Sequence, residues 1–297
     1  MKARGFALIL VIWVLVLLSL LAAGFSALVR VESEAGSWLS DQTQLQAVAS
    51  AAVHRAMLGI SVHDKELRWQ ADAKPRTFHW NGQAVQIVIR SESGKLDINY
   101  APRLVLLGLL QQVGGNADSD ALIDALIDWR DRDNQTSPHG AEAADYQAAG
   151  LRHVPSNGPL TSISELSQVM GFSGELVQTL RPFITVYARR PKIDVNSAPL
   201  QVIAALPGID RATAEQFVLA RAAAQSAEQT PDLSLLSAAK RYFDARTGSG
   251  VFNIEVSIPF EGYRHREQAV VRLQSGSGDY EILSWETLAH TDSDNNP

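Results

Sequence analysis

The sequence predicts an α+β fold: one long N-terminal helix packed on a small antiparallel sheet, with a large all-α region inserted between the strands. Three observations predict it. Phe6–Val29 is an unbroken apolar run, and helical spacing of apolar residues continues beyond it to about Gly59. Strand-like runs occur at 76–89 and again at 252–287. The chain between them has the helical period, so the strands flank an insertion.

Phe6–Val29 carries no charge, and as a helix its 24 residues would rise about 36 Å, enough to cross a hydrocarbon core of about 30 Å. Lys2 and Arg4 precede it and, by the positive-inside rule, hold the N-terminus in the cytoplasm, with the rest across the membrane in the periplasm. A cleaved secretory signal has a shorter core of about 7–15 residues, although Ala22, Ala23 and Ala27 would suit such a cleavage. A plain single-pass anchor accounts for the length but not for a five-residue leader ending in Gly5. Farther along, Val31, Ala35, Trp38, Leu45, Ala49, Ala52 and Ala56 recur at three- and four-residue steps opposite a polar face. The face of Ala35, Leu45, Ala49 and Ala52 is expected to bundle with helices of other subunits.

Arg76–Trp80 and Gln83–Ile89 flank Asn81-Gly82, a pair suited to the φ > 0 positions of a two-residue hairpin turn. The insertion opens at Lys95-Leu96-Asp97-Ile98-Asn99-Tyr100-Ala101-Pro102, which matches Lys192-Ile193-Asp194-Val195-Asn196-Ser197-Ala198-Pro199 at an offset of 97. Each copy reads as an extended segment, a capping Asn or Ser and a Pro in the first helical turn, so two related helical modules are expected. Helices are expected over 102–113, 118–129, 212–224 and 233–245, and one from the capping box Ser162-Ile163-Ser164-Glu165 to Gly171. Beyond 250, Phe252, Ile254, Val256, Ile258 and Phe260 alternate with polar residues, followed by strands over 266–274 and 280–287. Residues 291–297 read as a disordered polar tail.

At 297 residues, 46% apolar and 20% charged, the chain is long enough for an anchor and one to three folded modules. A net charge of −6 offers no basic field for nucleic acid. The absence of cysteine excludes disulfides, thiolate metal sites and thiol nucleophiles. There is no HExxH, no GxSxG and no glycine-rich phosphate loop, so no enzymatic activity is expected. Leu206-Pro207-Gly208-Ile209 resembles a helix-hairpin-helix turn, read here as a packing turn.

The densest acidic stretch holds Asp128, Asp131 and Asp133, then Glu142 and Asp145. Oxygen-only ligands suit calcium, which takes about six to eight of them. The spacing is not that of an EF-hand, and a solvated charged loop remains the alternative.

Arg4-Gly5-Phe6-Ala7-Leu8-Ile9 resembles the leader of type IV pilins and pseudopilins, cut after the glycine by a prepilin peptidase. Asp128-Trp129 with Asp131 and Asp133, Gly140-Ala141-Glu142, Tyr146, Asn157-Gly158-Pro159-Leu160 and Glu165-Leu166 resemble the inserted domain of the type II secretion minor pseudopilin K family. With the two Asp-x-Asn-x-Ala-Pro segments, the resemblance covers most of residues 1–206. It implies a pilin-like fold carrying two SAM-like helical modules. The expected divisions are a leader (1–5), a helix (6–60), a head (61–93 and 248–290), modules over 94–190 and 191–247, and a tail (291–297). It further implies cleavage between Gly5 and Phe6, N-methylation of Phe6, and Leu10 where most members carry glutamate. Calcium is then implied at Asp131, Asp133 and Glu142, with Asp128 and Asp145 as weaker ligands. Ala143 stands where an acidic residue is common, which removes one ligand or one of two sites. The implied function is a subunit capping the tip of the periplasmic pseudopilus, which takes part in protein export across the outer membrane. The implied partners are the I- and J-type minor pseudopilins, the peptidase and the inner-membrane assembly platform. An uncleaved, membrane-anchored periplasmic adaptor is the alternative.

Overall fold

The computed structural model describes residues 4–64, 66–80, 82–113, 118–227, 229–245, 250–260, 262–274 and 279–292, and the side chains of 4–9, 27–39 and 289–292 are outside that description. Helix α1 (Arg4–Ser61) is continuous. Its described side chains from 10 to 26 are all exposed. Among the described residues no helix is long and apolar enough to cross a membrane.

The later part of α1 meets a sheet. Strands β1 (Arg76–Trp80) and β2 (Gln83–Ser91) form the early hairpin; Gly82 has φ 82°, while Asn81 lies outside the described residues. Strands β7 (Val251–Phe260), β8 (Tyr263–Leu273) and β9 (Tyr280–Asp292) complete an antiparallel sheet of order β1-β2-β7-β8-β9. Strand β9 therefore extends to Asp292, into the stretch expected to be disordered; 293–297 lie outside the described residues.

Leu45, Val48, Ala49, Ala52, Val53, Ala56, Met57 and Ile60 fall at three- and four-residue steps and are buried. They pack on Val85, Ile87 and Ile89 of β2, Ile254, Val256 and Ile258 of β7, and Ala269 and Val271 of β8. The three alanines bring helix and sheet close, and each large aliphatic chain buried here contributes about 1.5–3 kcal/mol. This corrects one expectation: Leu45, Ala49 and Ala52 are 2%, 0% and 0% exposed, consumed by the chain's own sheet and not free for other subunits. Ala35 lies outside the described side chains.

The insertion leaves β2 at Ser91 and returns at β7. Helices α2 (Arg103–Gln112), α3 (Ser119–Arg130), α4 (Ala143–Ala148) and α5 (Gly174–Leu180) form its first part, and α6 (Leu200–Ala204) and α7 (Arg211–Ser226) its second. It is not all-α. Strand β3 (Leu96–Asp97) pairs in parallel with β4 (Ile184–Thr185), and β5 (Ile193–Asp194) with β6 (Phe243–Asp244). Two-residue bridges are too short to leave an alternating pattern in the sequence.

The repeated segments make equivalent bonds. Asp97 and Asp194 accept from the backbone N–H two residues on, at 2.9 and 3.0 Å. Asn99 and Asn196 do not cap the following helices. Their side-chain amides donate instead to Leu160 O and Ala245 O, far along their modules. Helices α2 and α6 begin at Pro102 and Pro199 with no side-chain cap. Half-buried guanidinium groups close each repeat: Arg130 donates to Ile98 O, and Arg221 to Val195 O and Ala198 O.

Two expected α-helices are 3-10 turns, Ile163–Gln168 and Ser234–Ala239. Their apolar residues, Ile163-Leu166-Val169 and Leu233-Leu236-Ala239, recur every three residues, the 3-10 period, and the second run then enters β6.

The two modules meet closely where α2 crosses α6, and a Cβ on Gly108 would run into the backbone of Ala205. Gly108→Ala is expected to destabilise the insertion by about 1–3 kcal/mol through overpacking, read as a lower melting temperature. An unchanged melting temperature would mean that this crossing is loose.

Candidate functional site

The acidic stretch becomes a structured corner at the end of α3. The apolar face of α3 buries Leu122, Ile123, Leu126 and Trp129, so Asp124 and Asp128, one turn apart on the same helix, are carried inward. Burial opposes ionisation of Asp124, yet bonds from Arg103 at 2.9 Å and from the backbone of His139 at 3.3 Å hold its carboxyl below the usual range. Asp128 is fully buried, and both its oxygens accept from the backbone N–H of Ser137, at 3.2 and 3.1 Å. Gly140 lies against that carboxylate so closely that a Cβ would strike Oδ2.

Asp131 follows as the C-cap of α3, and Glu142 precedes α4. Oδ1 of Asp131 and both carboxylate oxygens of Glu142 are buried and lack a well-formed hydrogen bond, although the backbone amides of Ala143 and Asp145 turn toward the Glu142 carboxylate. Burial pushes the Glu142 carboxyl up, and the charges of Asp128, Asp131 and Asp133 add to the shift. Asp131 is likewise raised, first by burial and then by Asp133 and Asp128. Four carboxylates thus feel one another, and three of their oxygens are buried with little compensation.

The corner is fastened on all sides. Trp129 Nε1 donates to Glu165 Oε1 at 3.0 Å, and Glu165 Oε2 accepts from the backbone and hydroxyl of Thr161. The capping box of Ser162 is therefore half made: Ser162 Oγ accepts from Glu165 N, but Glu165 turns to Thr161. Asn157, with φ 49°, donates to Asn134 Oδ1, and Ser156 Oγ to Trp129 O. Tyr146 is buried beside Trp129, ring centroids 5.8 Å apart, and its hydroxyl accepts from Met170 N.

Sequence reasoning and structure agree unevenly here. Asp131 and Glu142 are brought together, and Asp128, read as a weaker ligand, lies deepest of all. Asp133 is exposed and accepts from Gln135 N at 2.9 Å, although it remains near enough to perturb its neighbours. Asp145 turns away: its Oδ2 accepts from Glu142 N, an N-terminal cap of α4. Ser137, Gly140 and Asp124 were missed, because a serine, a glycine and a helical aspartate carry no signal of their own. Among the described residues no three acidic, cysteine or histidine side chains are gathered tightly enough to hold a metal ion. In donor chemistry, clustered carboxylate oxygens favour a hard cation. At the other candidate positions, Gly5 and Phe6 have helical backbone but undescribed side chains, and Leu10 is 54% exposed.

Residues 88–189 match the family model for type II secretion system protein K. The chain is 29% identical to type II secretion system protein K of Pectobacterium carotovorum over 207 residues, 62% of each. It is 28% identical to the protein of that name from Pseudomonas aeruginosa over 157 residues, 52% of this chain and 44% of that one. The chain thus spans less than two thirds of the length of either relative. The fold is similar to that of a chain in the crystal structure of the GspK-GspI-GspJ complex from enterotoxigenic Escherichia coli, with TM-score 0.63 and 20% identity. That match covers 84% of this chain and 98% of the other.

Because Asp131 and Glu142 have raised pKa values in the fold, protonation favours the folded state. The penalty is complete above their folded pKa and vanishes below the ordinary carboxylate value of about 4. In chelator the protein should gain melting temperature as pH falls from 7 toward that value, before Asp124 loses its ionic bond. Glu142→Gln should reduce that gain and raise the melting temperature at pH 7. A flat profile in both proteins would mean that the two carboxylates are solvated.

Proposed function

From the likeness to type II secretion system protein K, with its family domain over residues 88–189, we propose that this chain is a minor pseudopilin that caps the periplasmic pseudopilus of a type II secretion system. The observation that carries the reading is the site of that domain. It is inserted between β2 and β7 of a head built as one long helix on an antiparallel sheet, a pilin-like arrangement. The role is structural, not enzymatic: the chain contributes to protein export as a part of the fibre.

Two features support a place at the tip. Interior subunits of a helical fibre repeat one heterologous contact above and below. A head enlarged by the two helical modules, which we read as SAM-like, obstructs a subunit above it. Leu10, in place of glutamate, supplies no carboxylate for the terminal amine of such a neighbour, and an unpartnered carboxylate in lipid would be costly. The subunit therefore has partners beside and below it, the I- and J-type minor pseudopilins. It reaches them from the inner membrane, where Phe6–Val29 anchors it, after the prepilin peptidase cuts between Gly5 and Phe6, Phe6 is N-methylated, and the assembly platform takes it up.

Calcium is the proposed occupant of the acidic corner, where Asp128, Asp131 and Glu142, with Asp133 at the rim, would draw closer to hold it. A divalent cation there would neutralise the repulsion that raises Glu142 and Asp131 and tie α3 to α4.

The test of the function is processing and position. N-terminal sequencing should find a methylated Phe6, and gold-labelled copies should sit at one fibre end. An intact Met1 would favour an anchored periplasmic adaptor, and labels spaced along the fibre would refute the cap. For the metal, calcium at about a hundredfold over its Kd should stabilise the protein by about 2.7 kcal/mol. Asp131→Ala with Glu142→Ala should abolish that shift; a calcium response that survives both changes would place the ion elsewhere.

A further inference from the structure

With the Leu45–Ala52 face of α1 consumed by its own sheet, any subunit beside this one must use another surface. The core under α1 draws on β2, β7 and β8 and, among the described residues, on none of β9. Yet Tyr280, Ile282 and Trp285 of β9 pair with Leu273, Val271 and Ala269 of β8, so they point to the helix side of the sheet. They remain 38%, 42% and 37% exposed. His54 meets Tyr280 edge to face, ring centroids 6.0 Å apart, marking where helix and strand come together. Ala47 and Leu58 are exposed on α1, Leu58 at 63%. The result is a groove walled by α1 and floored by β9.

The floor is held in place. Trp285 Nε1 donates to Oε2 of Glu267, whose other oxygen lies 2.8 Å from His265 Nε2. Glu267 and His265 are each 2% exposed, beneath the helix side of the sheet. A buried carboxylate committed to a half-exposed indole fixes the ring before any partner arrives. Fixed tryptophan and tyrosine rings make strong anchors at interfaces because little ordering remains to be done on binding.

We propose that this groove receives the N-terminal helix of a neighbouring minor pseudopilin lying alongside α1; this rests on the pseudopilin reading above. A helix is the occupant because the groove follows α1, whose earlier residues from 10 to 26 extend it in one unbroken helix. A partner helix beside that segment continues along the same wall onto the apolar floor. The opposite sheet edge, β1, is only five residues long and follows Lys74-Pro75, features that discourage docking.

The chain has no cysteine, so Ile282→Cys and Leu58→Cys each provide a unique thiol for benzophenone-maleimide crosslinking in membranes of cells carrying the complete secretion system. Both should link to the N-terminal helix of another pseudopilin, as located by mass spectrometry, and Trp80→Cys on β1 should not. Trp285→Ala should cut co-purification of that partner about tenfold or more. Ile282→Asp, which disturbs no buried group, should do likewise without lowering the melting temperature. Links only from Trp80→Cys, links to a strand or loop of the partner, or unchanged co-purification would overturn the groove and leave the pseudopilin reading standing. A wild-type chain that co-purifies with no other pseudopilin would overturn both.

Discussion

The packing of one face of α1 on the five-stranded sheet is the constraint that the rest of the molecule obeys. Leu45 to Ile60 give that face to β2, β7 and β8, and three alanines set the distance. Once this surface is used, the helix can offer other molecules only its flanks. The sheet, likewise covered on one side, admits the insertion between β2 and β7 without any change to its register. The outer face of the sheet is pinned by Glu255, which bonds to Arg90 and Arg266 across three strands. Those two guanidinium groups overcome the effect of burial and keep its carboxyl below the usual range.

Much of this was legible in the sequence, and what was not has physical reasons. The long helix and the strands announce themselves because each repeats one period over many residues. The two Asp-x-Asn-x-Ala-Pro segments were legible as a repeat but not in their action. Asparagines that look like helix caps reach some 50 or 60 residues away, to Ala245 and Leu160, and no local rule contains a partner so distant. The two-residue parallel bridges are too short to leave a pattern, and a three-residue period was mistaken for α-helix. The free face of α1 was assigned to the wrong side because apolar spacing tells which residues are buried, not what buries them.

The acidic corner shows a similar division. Composition marks the loop as acidic, yet which of its carboxylates are buried depends on depth, which α3 decides. Asp128 lies innermost because it shares a helix with buried Leu122 and Trp129, whereas Asp133 escapes to solvent and Asp145 is spent on a helix cap. What distinguishes the corner from an ordinary charged loop is three buried oxygens without a well-formed hydrogen bond. Clustered acids in solvent would cost little, but these are desolvated and mutually repelling, so the fold carries a local cost that positive charge can relieve.

The repeated clasps bear on how the insertion tolerates change. In one module the paired bridge residues are 88 positions apart, and in the other 50, yet the turns, the amide donors and the closing arginines are alike. Closing the longer span costs only about half a kcal/mol more in chain entropy. The extra residues, the acidic loop among them, are thus carried almost free of charge by a clasp that does not sense them. Such a frame lets the ornament of one module be lengthened, shortened or recoded while its neighbour and the sheet below stay as they are.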